Sequence, residues 1–258
     1  MKRSKFTDAQ LSQNLFLRLA ILVSAFVTSS APQAAIYVDP IEYPKKVVII
    51  KIEGRIEHED EIEFKRVLDQ IKRDGYEIKL NSVVLNTRGG NVGASVEIGK
   101  IIRKEKLNTY VGPRHQCGSS CIFILSSGII RMAYGKVSVH RSFFGDEYPI
   151  EKIEKPVVNR DAVPAAHLYE MGMTTQLVDA IKVTPYWTSR KLTEKEKRGW
   201  GVHGTERLYE ELWFRTTAQE KHYDSGVVRN FYVKHATKCN KMAREFKMTV
   251  FDCVKAEM

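Results

Sequence analysis

Residues 114–128 read "RHQCGSSCIFILSSG". The second half, "SSCIFILSS" (119–127), predicts a short helix with almost no polar face. Such a helix belongs at the centre of a fold, buried on all sides. The first half places two serines between two cysteines, directly before that helix. Three chemistries fit the corner: a disulfide, a metal site, or a serine nucleophile where a strand turns into a helix.

The flanking segments supply the frame. "VVIIKIEGRI" (47–56) is a β-branched apolar run and predicts a buried strand. In 58–75, Phe64, Val67, Leu68 and Ile71 fall on one helical face. Acids crowd the start of that helix and Lys72 and Arg73 its end, as the helix dipole favours. Gly75 is the expected C-terminal stop. "SVVLNT" (82–87) predicts the next strand, "RGGNVGA" (88–94) a glycine-rich turn and "SVEIGKIIRKE" (95–105) a helix. "LNTYVG" (107–112) and "KVSVHR" (136–141) complete the strands on either side of the opening stretch. Strands alternating with helices predict an α/β fold with parallel crossovers. Beyond it, 142–164 reads as a long loop, 165–183 as one helix, and 192–202 as a short charged helix ending at Gly199. The basic tail from Thr205 reads as mixed helical and aromatic sequence with a solvated face.

Composition bounds the function. The chain has 258 residues, 43% of them hydrophobic and 28% charged, with a net charge of +10. This is a globular composition. The charge permits anionic partners. No nucleic-acid motif accompanies it, so nucleic acid is not expected. The N-terminus runs from cationic "MKRSK" through apolar "LAILVSAFV" (19–27) to "TSSAPQAA" (28–35), the order of a secretory signal. Residues 1–35 are expected to be a signal peptide. The alternative is an uncleaved anchor that associates with a membrane through residues 15–27. Export, to a periplasm or comparable compartment, agrees with the four cysteines. These allow three connectivities; local pairing of Cys239 with Cys253 is favoured. Cys117 and Cys121 are too poorly spaced relative to the other pair for a zinc finger, and no histidine stands at ligand spacing. No metal or cofactor is expected.

Three features carry the chemistry. Ser120 precedes the apolar helix, where free backbone N–H groups can stabilise an oxyanion; the same position also suits a capping serine. In "NTRGGNV" the paired glycines allow close backbone approach, and the amide of Gly90 can serve as an oxyanion donor. His140 ends the strand "KVSVH" and can act as general base.

Strand, Gly-Gly turn, helix, strand, serine corner and strand ending in histidine occur in an order that resembles the Clp protease proteolytic subunit of the Clp/crotonase superfamily. The resemblance covers about 47–141 and, weakly, 192–202. It implies an α/β fold of repeated β-β-α and β-α units around a mostly parallel sheet, spanning 36–204. A basic helical extension with a cysteine pair would then occupy 205–258. It implies a serine peptidase in which Ser120 is the nucleophile and His140 its base. The Gly90 and Cys121 amides would form the oxyanion hole, with Ser119 a packing neighbour and Cys117 bracing the corner, in a disulfide with Cys121 on one reading. One departure matters. The triad acid of the family would fall at about Ser189, in "TPYWTSRKLT" (184–193), where no carboxylate stands. Asp179, Asp161 and Asp146 are the carboxylates left to supply it from other segments. The expected substrate is a peptide or unfolded polypeptide. An exported chain would have no ATP-driven unfoldase as partner, and a homo-oligomer is in keeping with the superfamily. The competing class is a catalytically weak or inactive scaffold on the same fold at the cell envelope.

Overall fold

The computed structural model describes residues 35–42, 46–142 and 162–258. The signal or anchor segment and the carboxylates Asp146 and Asp161 lie outside them. The fold is mixed α/β around a central, mostly parallel sheet. It begins with a hairpin of β1 (Ala35–Glu42) and β2 (Val47–Ile56), paired antiparallel. Then follow α1 (Asp60–Arg73), β3 (Glu77–Gly90), α2 (Val92–Lys104), β4 (Asn108–Val111), β5 (Gln116–Gly118), α3 (Cys121–Ser126), β6 (Ile130–Ala133) and β7 (Lys136–Val139). All of the pairings β2–β3, β3–β4, β3–β5, β4–β6 and β5–β7 are parallel. The second half holds α4 (Ala162–Glu170), α5 (Thr175–Val183), β8 (Arg190–Lys191), α6 (Glu194–Gly199), β9 (Gly204–Thr205), α7 (Arg207–Lys221), α8 (Ser225–Arg244) and α9 (Val250–Glu257).

Strand β3 is the pivot. Its first half pairs with β4 and its last residues with β5, so the sheet branches there. The β5–β7–β8 branch carries the serine corner. Alternate residues of β3, β4 and β6 face opposite ways. Val83, Leu85, Val111 and Ala133 enter the main core with α1, α2 and α3, while Val84, Tyr110 and Met132 pack against Ala243 and Phe251 of the C-terminal helices. Both faces of the sheet are therefore covered, as parallel strands require. That is why "SVVL" shows no polar alternation.

The four apolar residues assigned to the face of α1 are all buried, and Gly75 follows its cap with φ +68°. The expected single helix over 165–183 is two helices. The chain breaks after Glu170, and Gly172 takes the left-handed conformation at φ +77°. Buried Arg131 fastens this break: its Nη1 donates to the carbonyls of Met171 and Ser126, tying the break to the end of α3. Two disulfides form, Cys117–Cys121 and Cys239–Cys253; the second staples α8 to α9. Among the described residues no helix is long and apolar enough to cross a membrane.

His203, between α6 and β9, sits edge-on against Tyr134 with ring centres 4.9 Å apart. Burial, aided by the nearby Arg198 charge, lowers its pKa to about 4 from 6.5. As pH falls from 6.5 to 4, the unfolded chain takes up a proton that the folded chain refuses. Stability should therefore drop across that window, by on the order of 3 kcal/mol when fully developed. Melting temperature against pH, for wild type and His203→Gln, checks this: the variant should show a shallower slope between these limits, the remainder belonging to His115 and His167, whose pKa values burial also lowers.

Candidate active site

The site is assembled from the ends of β3, β5 and β7. Thr87, near the end of β3, accepts a hydrogen bond from Gly89 N–H at 3.0 Å and donates to the Gly54 carbonyl at 2.5 Å. This fixes the double-glycine turn against β2. A Cβ at Gly89 would stand 2.5 Å from the Gly118 carbonyl oxygen and 2.9 Å from Ser120 N. Only glycine lets the turn approach the serine corner so closely.

The corner is made by Ser119. Its φ is +52°, a left-handed conformation unusual for a side chain with Cβ, of the sort that gathers at functional sites. Its N–H donates to Ser138 O at 2.9 Å, the last rung between β5 and β7. The chain then turns, and Ser120 is the N-cap of α3. Every residue of α3 is buried, as its apolar sequence predicts.

Ser120 is itself buried, at 1% exposure. Its Oγ accepts the Gly90 N–H at 2.8 Å and lies 3.0 Å from Ser95 Oγ on α2. Ser95 Oγ in turn donates to the Asn91 carbonyl at 2.7 Å. A hydroxyl has one proton, so a consistent relay runs from Gly90 N–H to Ser120, from Ser120 O–H to Ser95, and from Ser95 to the Asn91 carbonyl. Ser95 carried no sequence signal beyond its spacing, one helical turn after Asn91. The N–H of Cys121 belongs to the first turn of α3, where backbone donors have no intrahelical acceptor.

His140 follows the last residue of β7. Gly118 pairs with Ser138, so Ser120 and His140 each stand two residues beyond the same rung of adjacent strands. The His140 Nδ1 lies 2.8 Å from the Arg141 carbonyl oxygen, whose own N–H is held by Thr184 O at 2.9 Å. A carbonyl only accepts, so Nδ1 carries the proton and Nε2 presents a lone pair. His140 and Ser120 do not hydrogen-bond to each other in this structure. Among the described residues no carboxylate bonds to His140. Antiparallel β7–β8 pairing sets Val139 opposite Arg190, which brings Ser189 level with His140. Both line an open cleft of about 410 Å³, together with Ser119. Asp179 is an exposed residue of α5.

Cys117 and Cys121 close a five-residue loop around Gly118, Ser119 and Ser120, and both are fully buried. Replacing both by alanine is expected to lower unfolding free energy by about 2 kcal/mol, the loop-entropy scale for so short a ring. Denaturant titration measures it.

No protein-family model and no curated protein sequence matches the chain. Among solved structures it is similar to the 1510-N membrane-bound stomatin-specific protease. For a serine-to-alanine mutant of that protein the identity is 18%, the match covers 63% of this chain and 80% of that chain, and the TM-score is 0.41. For a lysine-to-alanine mutant in complex with a substrate peptide the identity is again 18%, the coverage 63% and 75%, and the TM-score 0.44. Likeness at this level bears on neither the activity nor the residues of this chain.

Proposed function

We propose that the chain is an exported serine hydrolase of the Clp-protease-like type that acts on peptides or flexible polypeptides. The observation that carries the proposal is the Gly90 N–H at 2.8 Å from Ser120 Oγ, on a corner that follows the Gly118–Ser138 rung by two residues, as His140 does on the neighbouring strand. His140 Nε2 takes the Ser120 proton as Oγ attacks the scissile carbonyl. The amides of Gly90 and Cys121 stabilise the oxyanion, and the imidazolium then protonates the leaving amine. Water, deprotonated by the same nitrogen, attacks the acyl-serine, and the proton returns to Ser120 as the ester breaks. The Arg141 carbonyl holds the imidazole tautomer that a triad carboxylate would otherwise hold. It supplies less stabilisation to the cation, so a serine–histidine dyad of modest rate is the expected form. Export is supported by the two buried disulfides and by the signal-like order of residues 1–35.

A second reading is favoured by one observation. The Ser120 hydroxyl is buried and fully bonded through Gly90 and Ser95, as in a scaffold that uses the serine only to join elements. Labelling of the folded protein with a fluorophosphonate probe separates the two. Labelling that depends on Ser120 is expected, and its absence favours the scaffold.

A further inference from the structure

The cleft that opens beside Ser119 and His140 is lined by both cations and aromatic rings. Residues two apart on a strand share a face. Lys136, Ser138 and His140 therefore run along one side of β7, and all three line the cleft. Arg88, beyond the last rung of β3 with β5, borders it from the other side. Both cations are exposed. The described residues give neither side chain a hydrogen bond or an ion pair. No carboxylate is among the described residues that line the cleft. At the opposite wall, Trp187 is 68% exposed and meets Tyr186 edge to face, with ring centres 4.9 Å apart. The Arg141 guanidinium lies 5.7 Å from the Trp187 ring centre and adds positive charge on that wall.

Resting on the hydrolase reading above, we infer that this cleft selects polypeptide segments that carry a carboxylate. Arg88 and Lys136 bind the carboxylate, and the Tyr186–Trp187 pair takes a neighbouring apolar side chain. Free cations flanking a concave surface favour anionic ligands, and a guanidinium adds bidentate geometry. Lys136 and His140 are four residues apart along the strand, about 13 Å. The carboxylate therefore sits two to four residues from the bond to be cut. Either an acidic side chain or the free C-terminus of a chain supplies the same group.

Fluorescence anisotropy on the full chain carrying Ser120→Ala tests this without turnover. The probes are matched peptides with a tryptophan and either Glu, Gln or Lys three residues away, each with a free and an amidated C-terminus. The Glu peptide is expected to bind about fivefold or more tighter than the Gln peptide at physiological salt, and the Lys peptide weakest. If the free-terminus peptides bind tighter than their amidated twins whatever the internal residue, the chain terminus is the source; if Glu keeps its advantage over Gln after amidation, the side chain is. Adding Arg88→Gln and Lys136→Gln should equalise the Glu and Gln peptides. Adding Arg88→Glu and Lys136→Glu should invert the order. Circular dichroism should show unchanged melting, since both side chains are exposed. Binding that is unmeasurable, or that distinguishes neither Glu from Gln nor a free from an amidated terminus, overturns the inference, as does discrimination that survives the double substitution. Dextran sulfate that competes fully while the peptides do not discriminate also overturns it, in favour of a polysaccharide surface. Discrimination without Ser120-dependent labelling removes the hydrolase reading alone. Labelling without discrimination removes this inference alone.

Discussion

Ser120→Ala is expected to reduce fluorophosphonate labelling and peptide hydrolysis to background, a loss on the order of a thousandfold or more. The argument rests on where the protons lie. Ser120 Oγ receives the Gly90 N–H and its own O–H donates to Ser95; in the proposed mechanism that proton is turned toward His140, the base. Ser119, by contrast, contributes a backbone conformation. Its N–H is bound to Ser138, and the residue lines the open cleft. Ser119→Ala should therefore retain most labelling, within about tenfold. Ser95→Ala should retain it too, since it removes one member of the relay and leaves the Gly90 donor in place. Loss of labelling in Ser119→Ala with labelling kept in Ser120→Ala would exchange the two roles. Ser120→Ala leaves the Gly90 N–H without its acceptor, at a stability cost of about 1–2 kcal/mol. A melting curve beside each labelling experiment keeps loss of function apart from loss of fold.

Much of this was legible from residue patterns, for reasons that differ by element. Helix α1 was readable because four apolar residues on one face and charges at both ends state the same answer. Helix α3 was readable because a run with no polar face has only one place to go. Strands β5 and β6 were not. Gln116–Gly118 is three residues long, too short for any period to register, and Ile130–Ala133 continues an apolar stretch that began in α3. The split at Gly172 was hidden because 165–183 keeps helical composition throughout. What breaks it is a left-handed glycine next to Met171, whose carbonyl Arg131 holds from forty positions earlier in sequence. At the site, the two serines, the glycine pair and the histidine were identifiable from their order along the chain. Ser95, Arg88 and Lys136 were not, because their meaning comes from the faces that strand register brings together. The carbonyl at His140 Nδ1 is likewise a product of backbone course, to which side-chain patterns give no access.

Gly90→Ala is expected to be the most damaging single methyl in the molecule. Gly90 has φ +154°, and a Cβ there would lie 2.0 Å from the carbonyl oxygen of Ile56 and 2.7 Å from its nitrogen. Those atoms are backbone, so no rotamer change relieves the clash; β2 and β3 must separate at the Ile56–Gly90 rung. Overpacking and unfavourable φ together should cost about 3 kcal/mol or more. The same displacement moves the Gly90 N–H away from Ser120 and loosens Asn91, whose N–H donates to Ile56 O at 2.7 Å. Labelling should therefore fall by about a hundredfold or more even in the fraction that remains folded, the scale for losing one oxyanion donor. Gly75→Ala is the control. Gly75 also has positive φ, at +68°, but nothing lies within 4 Å of its added Cβ. It should cost only about 1 kcal/mol, the price of a left-handed alanine, and leave labelling unchanged. Equal effects of the two substitutions would mean that Gly90 matters only as a turn residue. A labelling loss confined to Gly90→Ala would tie the glycine turn to the chemistry of Ser120.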